Sequence, residues 1–201
     1  MNNLKIIDIY PTRISGVNIG SPVDHMIKSI EHDLSNIDDI LEKNEVIHSW
    51  LKYMPHIDDV KNIKAYQENY NNINNSYIHN LDSDFKKIKV TMPSGQTLFR
   101  KGCCVDKNKE HIIERYISTT IDPVFAQGIP NYDCIKKYIV IKILSPDIKF
   151  YLFNQNVKNG YAESEVLLEK GIILIQRKMC KAKNWYNDEY EDIYCVDAYK
   201  Q

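Results

Sequence analysis

The pattern of apolar residues changes character near residue 85, and that change constrains the fold more than any other feature of the chain. Before it, apolar side chains recur every three or four residues, the period of an amphipathic helix. "SPVDHMIKSIEHDL" (21–34) opens with Ser21 as a helix cap, Pro22 in the first turn and Asp24 behind it, all helix-start signals. "IDDILEKNEVIHSWLKYM" (37–54) spaces Ile37, Ile40, Leu41, Ile47 and Leu51 as one helix, which Pro55 ends. "DDVKNIKAYQENYNNINNSYIHNL" (58–81) continues the period through Val60, Ile63, Tyr66, Tyr70, Ile73 and Tyr77.

After residue 85 the apolar runs are short and bounded by turn signals such as Pro93-Ser94-Gly95 and Ser145-Pro146-Asp147. The pattern predicts strands at 87–92, 97–101, 115–120, 137–143, 149–153, 163–168, 172–177 and 192–199. A short helix is expected at "NKEHIIER" (108–115). A helical half followed by a mostly antiparallel sheet half is an α+β arrangement, not a repeating β-α-β one.

Bulk properties exclude several classes. The formal net charge is −1, which supplies no field for nucleic acid or for an anionic membrane. No apolar run is long enough for a membrane span, and "MNNLKIIDIYPTR" lacks the apolar block of a signal peptide. Five cysteines with no C-x-x-C pair fit neither a disulfide framework nor a zinc site, so a reducing intracellular environment is expected. The histidines (25, 32, 48, 56, 79 and 111) are scattered and form no ligand cluster, so no metal is expected.

Three stretches carry chemistry. In "TLFRKG", alternation puts Leu98 and Arg100 on one face and Phe99 on the other. A guanidinium on a cleft face needs an anion, and a phosphate suits its fork. In "YISTT", Ser118 offers a hydroxyl that could orient a nearby carboxylate. In "GYAESEVLLEKG", Glu163 and Glu165 lie two apart, so an extended strand would point both the same way. Two like charges side by side are unfavourable unless a proton or a cation intervenes. Taken singly, each has an ordinary explanation: a structural ion pair, hydroxyls common in strands, and two solvated glutamates at a strand end.

Their order is more informative. Arginine on one strand, Ser-Thr-Thr on a second and Glu-x-Glu before an apolar strand resembles the R-S-E class of mono-ADP-ribosyltransferases. "AYQENYNNINNSY" (65–77) is similar to the helix of clostridial-type exoenzymes, with spaced tyrosines and an Ile-Asn pair. The resemblance covers about residues 60–200. It implies an N-terminal helical region followed by a mixed, mostly antiparallel two-sheet ADP-ribosyltransferase core. Residues 1–58 are expected as a helical extension for docking and 59–201 as the catalytic core, packed as one unit.

The resemblance also implies roles. NAD is the substrate, and its ribose passes through an oxocarbenium-like state as nicotinamide leaves. Glu165 would meet that charge, Ser118 would hold Glu165, and Glu163 would contact the acceptor. Arg100 would bind the diphosphate, with the backbone at Lys101 or Gly102 meeting the nicotinamide amide. Asn74 and Tyr70 belong to the NAD-binding helix, and Phe125 is the aromatic nearest in sequence to face nicotinamide. In this class a glutamate at the position of Glu163 accompanies arginine as acceptor. The expected partners are therefore NAD and an acceptor protein, with action inside a host cell as an effector or viral protein. An NAD glycohydrolase, a transferase to another acceptor, and an inactive binding module of the same fold are the alternatives. The middle motif departs from the usual Ser-Thr-Ser in its last residue.

Overall fold

Local sequence signals account for most of the elements. The structure, a computed structural model, describes residues 4–68, 81–102, 107, 109–128, 137–153 and 164–200. A hairpin opens it: β1 (Thr12–Ile14) pairs antiparallel with β2 (Val17–Ile19). Its turn residues, Ser15 and Gly16, have φ of 47° and 82°, the positive pair that matches strand twist in a tight hairpin. The helical reading of this half does not foresee that hairpin.

Helix α1 (Pro22–Glu31) begins as expected: the Ser21 hydroxyl accepts the Asp24 N–H at 3.2 Å, with proline in the first turn. The single helix expected over 37–54 is instead two, α2 (Asp38–Glu42) and α3 (Glu45–Tyr53). Asn44 causes the break, because its side chain accepts the N–H groups of Val46 and Ile47 and so caps a new helix. Helix α4 (Lys61–Glu68) is capped from a distance, by buried Asp84 of the short α5 (Leu81–Phe85), whose Oδ2 accepts from Asn62 and Ile63 N–H.

The remaining strands are β3 (Thr97–Lys101), β4 (Glu110–Ile113), β5 (Ile117–Thr120), β6 (Lys137–Ile143), β7 (Phe150–Leu152), β8 (Glu165–Leu168), β9 (Ile172–Lys183) and β10 (Tyr190–Tyr199). One short helix, α6 (Pro123–Gly128), follows β5. They form one sheet in the order β4-β9-β10-β6-β3-β5-β8-β7, antiparallel at every step except β10 beside β6. This is the mixed, mostly antiparallel architecture read from the sequence. The sheet has a seam: β3 and β5 share the single register pair Phe99 with Thr120.

Two further local expectations fail. "NKEHIIER" holds a strand, β4, because Glu110–Ile113 completes the edge against β9. Its four residues lie beside the apolar start of β9, residues 172–175, and that pairing overrides helix propensity. "KIKVTM" is not a strand; it makes one isolated bridge, Thr91 with Lys149. Its apolar residues Ile88, Val90 and Met92 are nevertheless buried.

The main core runs without interruption from the first 58 residues into the sheet. Ile14, Ile37 and Trp50 belong to the same cluster as Leu98, Ile141 and Leu167. A smaller cluster on the other side of β3 joins Met26 and Ile30 of α1 to Phe99, Tyr138 and Val140. Leu98 and Phe99 thus face opposite cores, as alternation requires.

Candidate active site

The seam between β3 and β5 is where the predicted residues meet. Arg100 lies next to the end of β3, paired with Ile139 of β6. Its Nη1 crosses the seam and donates to the backbone carbonyl of Ser118 at 2.5 Å. The Ser118 hydroxyl in turn donates to Glu165 Oε1 at 2.6 Å. Arginine, serine and glutamate are therefore one chain of hydrogen bonds, with Ser118 linking the other two through different atoms.

Each link follows from local structure. In β5, successive side chains alternate, so Ser118 and Thr119 differ in duty. Thr119 Oγ1 donates to the Val166 carbonyl at 2.8 Å and fastens β5 to β8. Glu165 is paired with Thr120, two residues beyond Ser118, so the serine reaches it diagonally. The apolar run Val166, Leu167 and Leu168 is fully buried and fixes β8 behind the carboxylate. Glu165 itself is only 9% exposed. A carboxylate that deep requires hydrogen-bond donors, and the serine supplies one.

The strand expected from residue 163 starts later. β8 begins at Glu165, and Ser164 before it has φ of 43°, which is not extended. The i, i+2 rule for strands therefore does not reach Glu163. Ser164 is held there by its carbonyl, which accepts the Ile121 N–H, and by burial of its side chain. Glu163, Tyr70 and Asn74 lie outside the described residues.

Lys101 sends its side chain away from the triad. Its Nζ donates to the Gln127 carbonyl at 3.2 Å and sits 5.8 Å from the Tyr138 ring centre, on the side of the smaller core. Burial holds its pKa below the usual lysine range. The Gly102 N–H is engaged by the Lys137 carbonyl at 3.2 Å. Phe125 is half-buried on α6, which packs against β3; no hydrogen bond or ring contact ties it to the triad.

One organising residue escaped the sequence reading. Asp122 lies two residues past the end of β5 and is fully buried. Its Oδ2 accepts the Ile37 N–H at 2.7 Å and its Oδ1 the Val124 N–H at 2.9 Å. It thereby ties the N-terminal helices and α6 to the strand that carries Ser118. Burial raises its carboxyl to about 6, against the lowering effect of those two N–H groups. The signal was present as Asp122-Pro123, a cap followed by first-turn proline.

A cavity of about 390 Å³ lies elsewhere, under residues 6–10, walled by Ile7, Tyr10, Val23, Phe99, Val140 and Val196. It occupies the Phe99 side of the sheet and includes none of Arg100, Ser118 and Glu165. Its lining is mostly apolar, with Asp8, Lys142, Arg177 and Asp197 among the exceptions. Among the described residues, no group of three His, Cys, Asp or Glu side chains could hold a metal ion.

No family model and no curated protein sequence matches the chain. Solved structures do. The ADP-ribosyltransferase Vis, from Vibrio splendidus, in complex with agmatine superposes with a TM-score of 0.56 at 12% identity, over 86% of this chain and 90% of that one. The C3 exoenzyme of Clostridium limosum gives 0.50 at 17% identity, over 85% and 96%. BECa, an ADP-ribosylating toxin of a Clostridium perfringens binary enterotoxin solved with NADH, gives 0.53 at 14% identity. The likeness covers 76% of this chain and 45% of BECa, so the chain spans less than half of that toxin. This is the fold of the ADP-ribosyltransferase toxins. In this toxin fold the seam is where Arg100, Ser118 and Glu165 converge.

Proposed function

We propose that the protein is an NAD-dependent mono-ADP-ribosyltransferase that modifies a protein side chain, with arginine as acceptor, and releases nicotinamide. The observation that carries the reading is the hydrogen-bond chain from Arg100 through Ser118 to the nearly buried Glu165. Its residue types and order, within this fold, support it.

Arg100 binds the NAD diphosphate, for which a guanidinium fork is well suited. The bond between nicotinamide and ribose then breaks, nicotinamide leaves with the bonding electrons, and positive charge builds on the ribose. A carboxylate fixed beside it before the reaction stabilises that charge most when it is greatest. Glu165 is that carboxylate, and Ser118 keeps it aimed. The acceptor guanidinium attacks the anomeric carbon from the opposite side and gives up a proton. Glu163 docks the acceptor and takes that proton. NAD is a substrate consumed in each turnover, and no metal enters a step.

The test is nicotinamide release from NAD by the purified protein, with and without agmatine as an arginine analogue. Release that agmatine accelerates, with ADP-ribosyl-agmatine as product, is expected. Release that agmatine leaves unchanged would remove arginine as acceptor, and no release under any condition would remove the enzyme.

A further inference from the structure

We propose that Gly102 is a positioning residue for Arg100: it is glycine because the Arg100 guanidinium folds back over its α-carbon. This rests on the reading of Arg100 as the diphosphate ligand. A Cβ built on Gly102 would lie 3.2 Å from Arg100 Nε and 3.9 Å from both Cζ and Nη2, and these are its three nearest atoms. A contact at 3.2 Å is closer than carbon and nitrogen tolerate at rest. The backbone does not call for glycine. Gly102 is absent from the positive-φ residues, which include Gly16, Gly95 and Gly171, so alanine is conformationally acceptable there. Space for the Arg100 side chain is therefore the reason for glycine.

Arg100 cannot simply swing clear. Its Nη1 is fixed by the Ser118 carbonyl on the far side of the seam. Gly102 is fixed as well, by its N–H on the Lys137 carbonyl. The guanidinium is thus seated between a carbonyl and a bare α-carbon, both belonging to paired strands or their immediate continuation. A methyl group at 102 displaces the head of Arg100 by a few tenths of an ångström, or breaks its bond to Ser118. A fork that must match a diphosphate oxygen pair loses binding through either change.

Two measurements on the full chain test this, and they separate it from the proposed function. The chain has four arginines, Arg13, Arg100, Arg115 and Arg177, so the Nε–Hε region of a nitrogen-15 spectrum holds four arginine signals. Arg100→Lys deletes one and assigns it. Gly102→Ala should move that signal and leave the other three, with no NAD present. The second measurement is NAD titration of the wild type, Arg100→Lys, Gly102→Ala and the double variant. Gly102→Ala should weaken binding roughly tenfold in the wild type, and by less than about twofold when Arg100 is already lysine. An unmoved Arg100 signal, or equal losses in both backgrounds, overturns the seat. A wild type that binds no NAD overturns the proposed function, while the spectrum still decides whether Gly102 seats Arg100.

Discussion

Ser118 offers the sharpest separation of roles, because its two contacts use different atoms. Ser118→Ala removes the hydroxyl that donates to Glu165 and keeps the carbonyl that accepts from Arg100. A hydrogen bond to a charged partner contributes about 1.5–3 kcal/mol, and at 9% exposure little water is on hand to replace it. If that interaction is needed to aim Glu165 in the transition state, kcat falls roughly tenfold to a hundredfold. KM for NAD stays close to wild type, since the diphosphate ligand keeps its anchor. Ser118→Thr retains the hydroxyl, suits a strand and restores most of the rate. Initial rates of nicotinamide release over a range of NAD concentrations measure both parameters. The melting temperature, expected to drop by no more than about 10 °C for a loss of this size, reports on the fold. An unchanged kcat in Ser118→Ala, or Ser118→Thr as slow as Ser118→Ala, refutes the aiming role. A rise in KM as large as the fall in kcat refutes the division between hydroxyl and carbonyl.

Further substitutions test the other members. Arg100→Lys keeps the charge but loses the fork, and should raise KM for NAD by at least about tenfold with the fold intact; binding equal to wild type would sink the phosphate role. Glu165→Gln should slow transfer and plain NAD hydrolysis alike, by at least about a hundredfold, whereas Glu163→Gln should stop agmatine modification and spare much of the hydrolysis. If both variants lose both activities equally, the division of labour is wrong. His25 makes a pH prediction. It is fully buried, its Nδ1 shares a hydrogen bond with Tyr10 Oη at 2.8 Å, and burial lowers its pKa from 6.5 to about 4. The unfolded chain thus takes up a proton that the folded one refuses, so stability is lost as pH falls from about 6.5 towards 4. Asp122, raised to about 6, acts with the opposite sign, its contribution being lost as pH rises through that value. The gap in melting temperature between wild type and His25→Asn isolates the histidine; it should narrow as pH drops through that window, and parallel curves would show that His25 does not titrate there.

What was legible in the sequence was whatever depended on neighbours along the chain. Ser21 with Pro22 and Asp24 announces α1 because a cap is a contact over three residues. Leu98, Phe99 and Arg100 sort to opposite faces because alternation is a property of any strand. Failures came where a distant partner decided. Glu110–Ile113 became a strand because β9 offered it an edge, and nothing within 108–115 states that. Asn44 could have been read as a cap, but the apolar spacing on both sides of it masked the break. Ser164 illustrates a third kind of miss: its φ of 43° accompanies burial and a carbonyl held by the Ile121 N–H, so the strand expected from 163 begins two residues later, at Glu165. The residue types of Arg100, Ser118 and Glu165 were readable one by one, whereas their approach across the seam belongs to tertiary structure alone.

The seam also gives a reason for placing this chemistry here. Elsewhere β3 is held by five register pairs with β6, and β5 by four with β8. Between them stands one, Phe99 with Thr120. Past that pair the two strands share no further register pair, and a side chain takes over the link. Arg100 is the first residue past that pair on β3, and Ser118 stands two residues from it on β5. The Arg100–Ser118 bond is therefore a tie across the seam, made by the same guanidinium that is proposed to bind the diphosphate. Arg100 is thus joined to the carboxylate through one intervening residue, Ser118, which uses its carbonyl for the arginine and its hydroxyl for the glutamate.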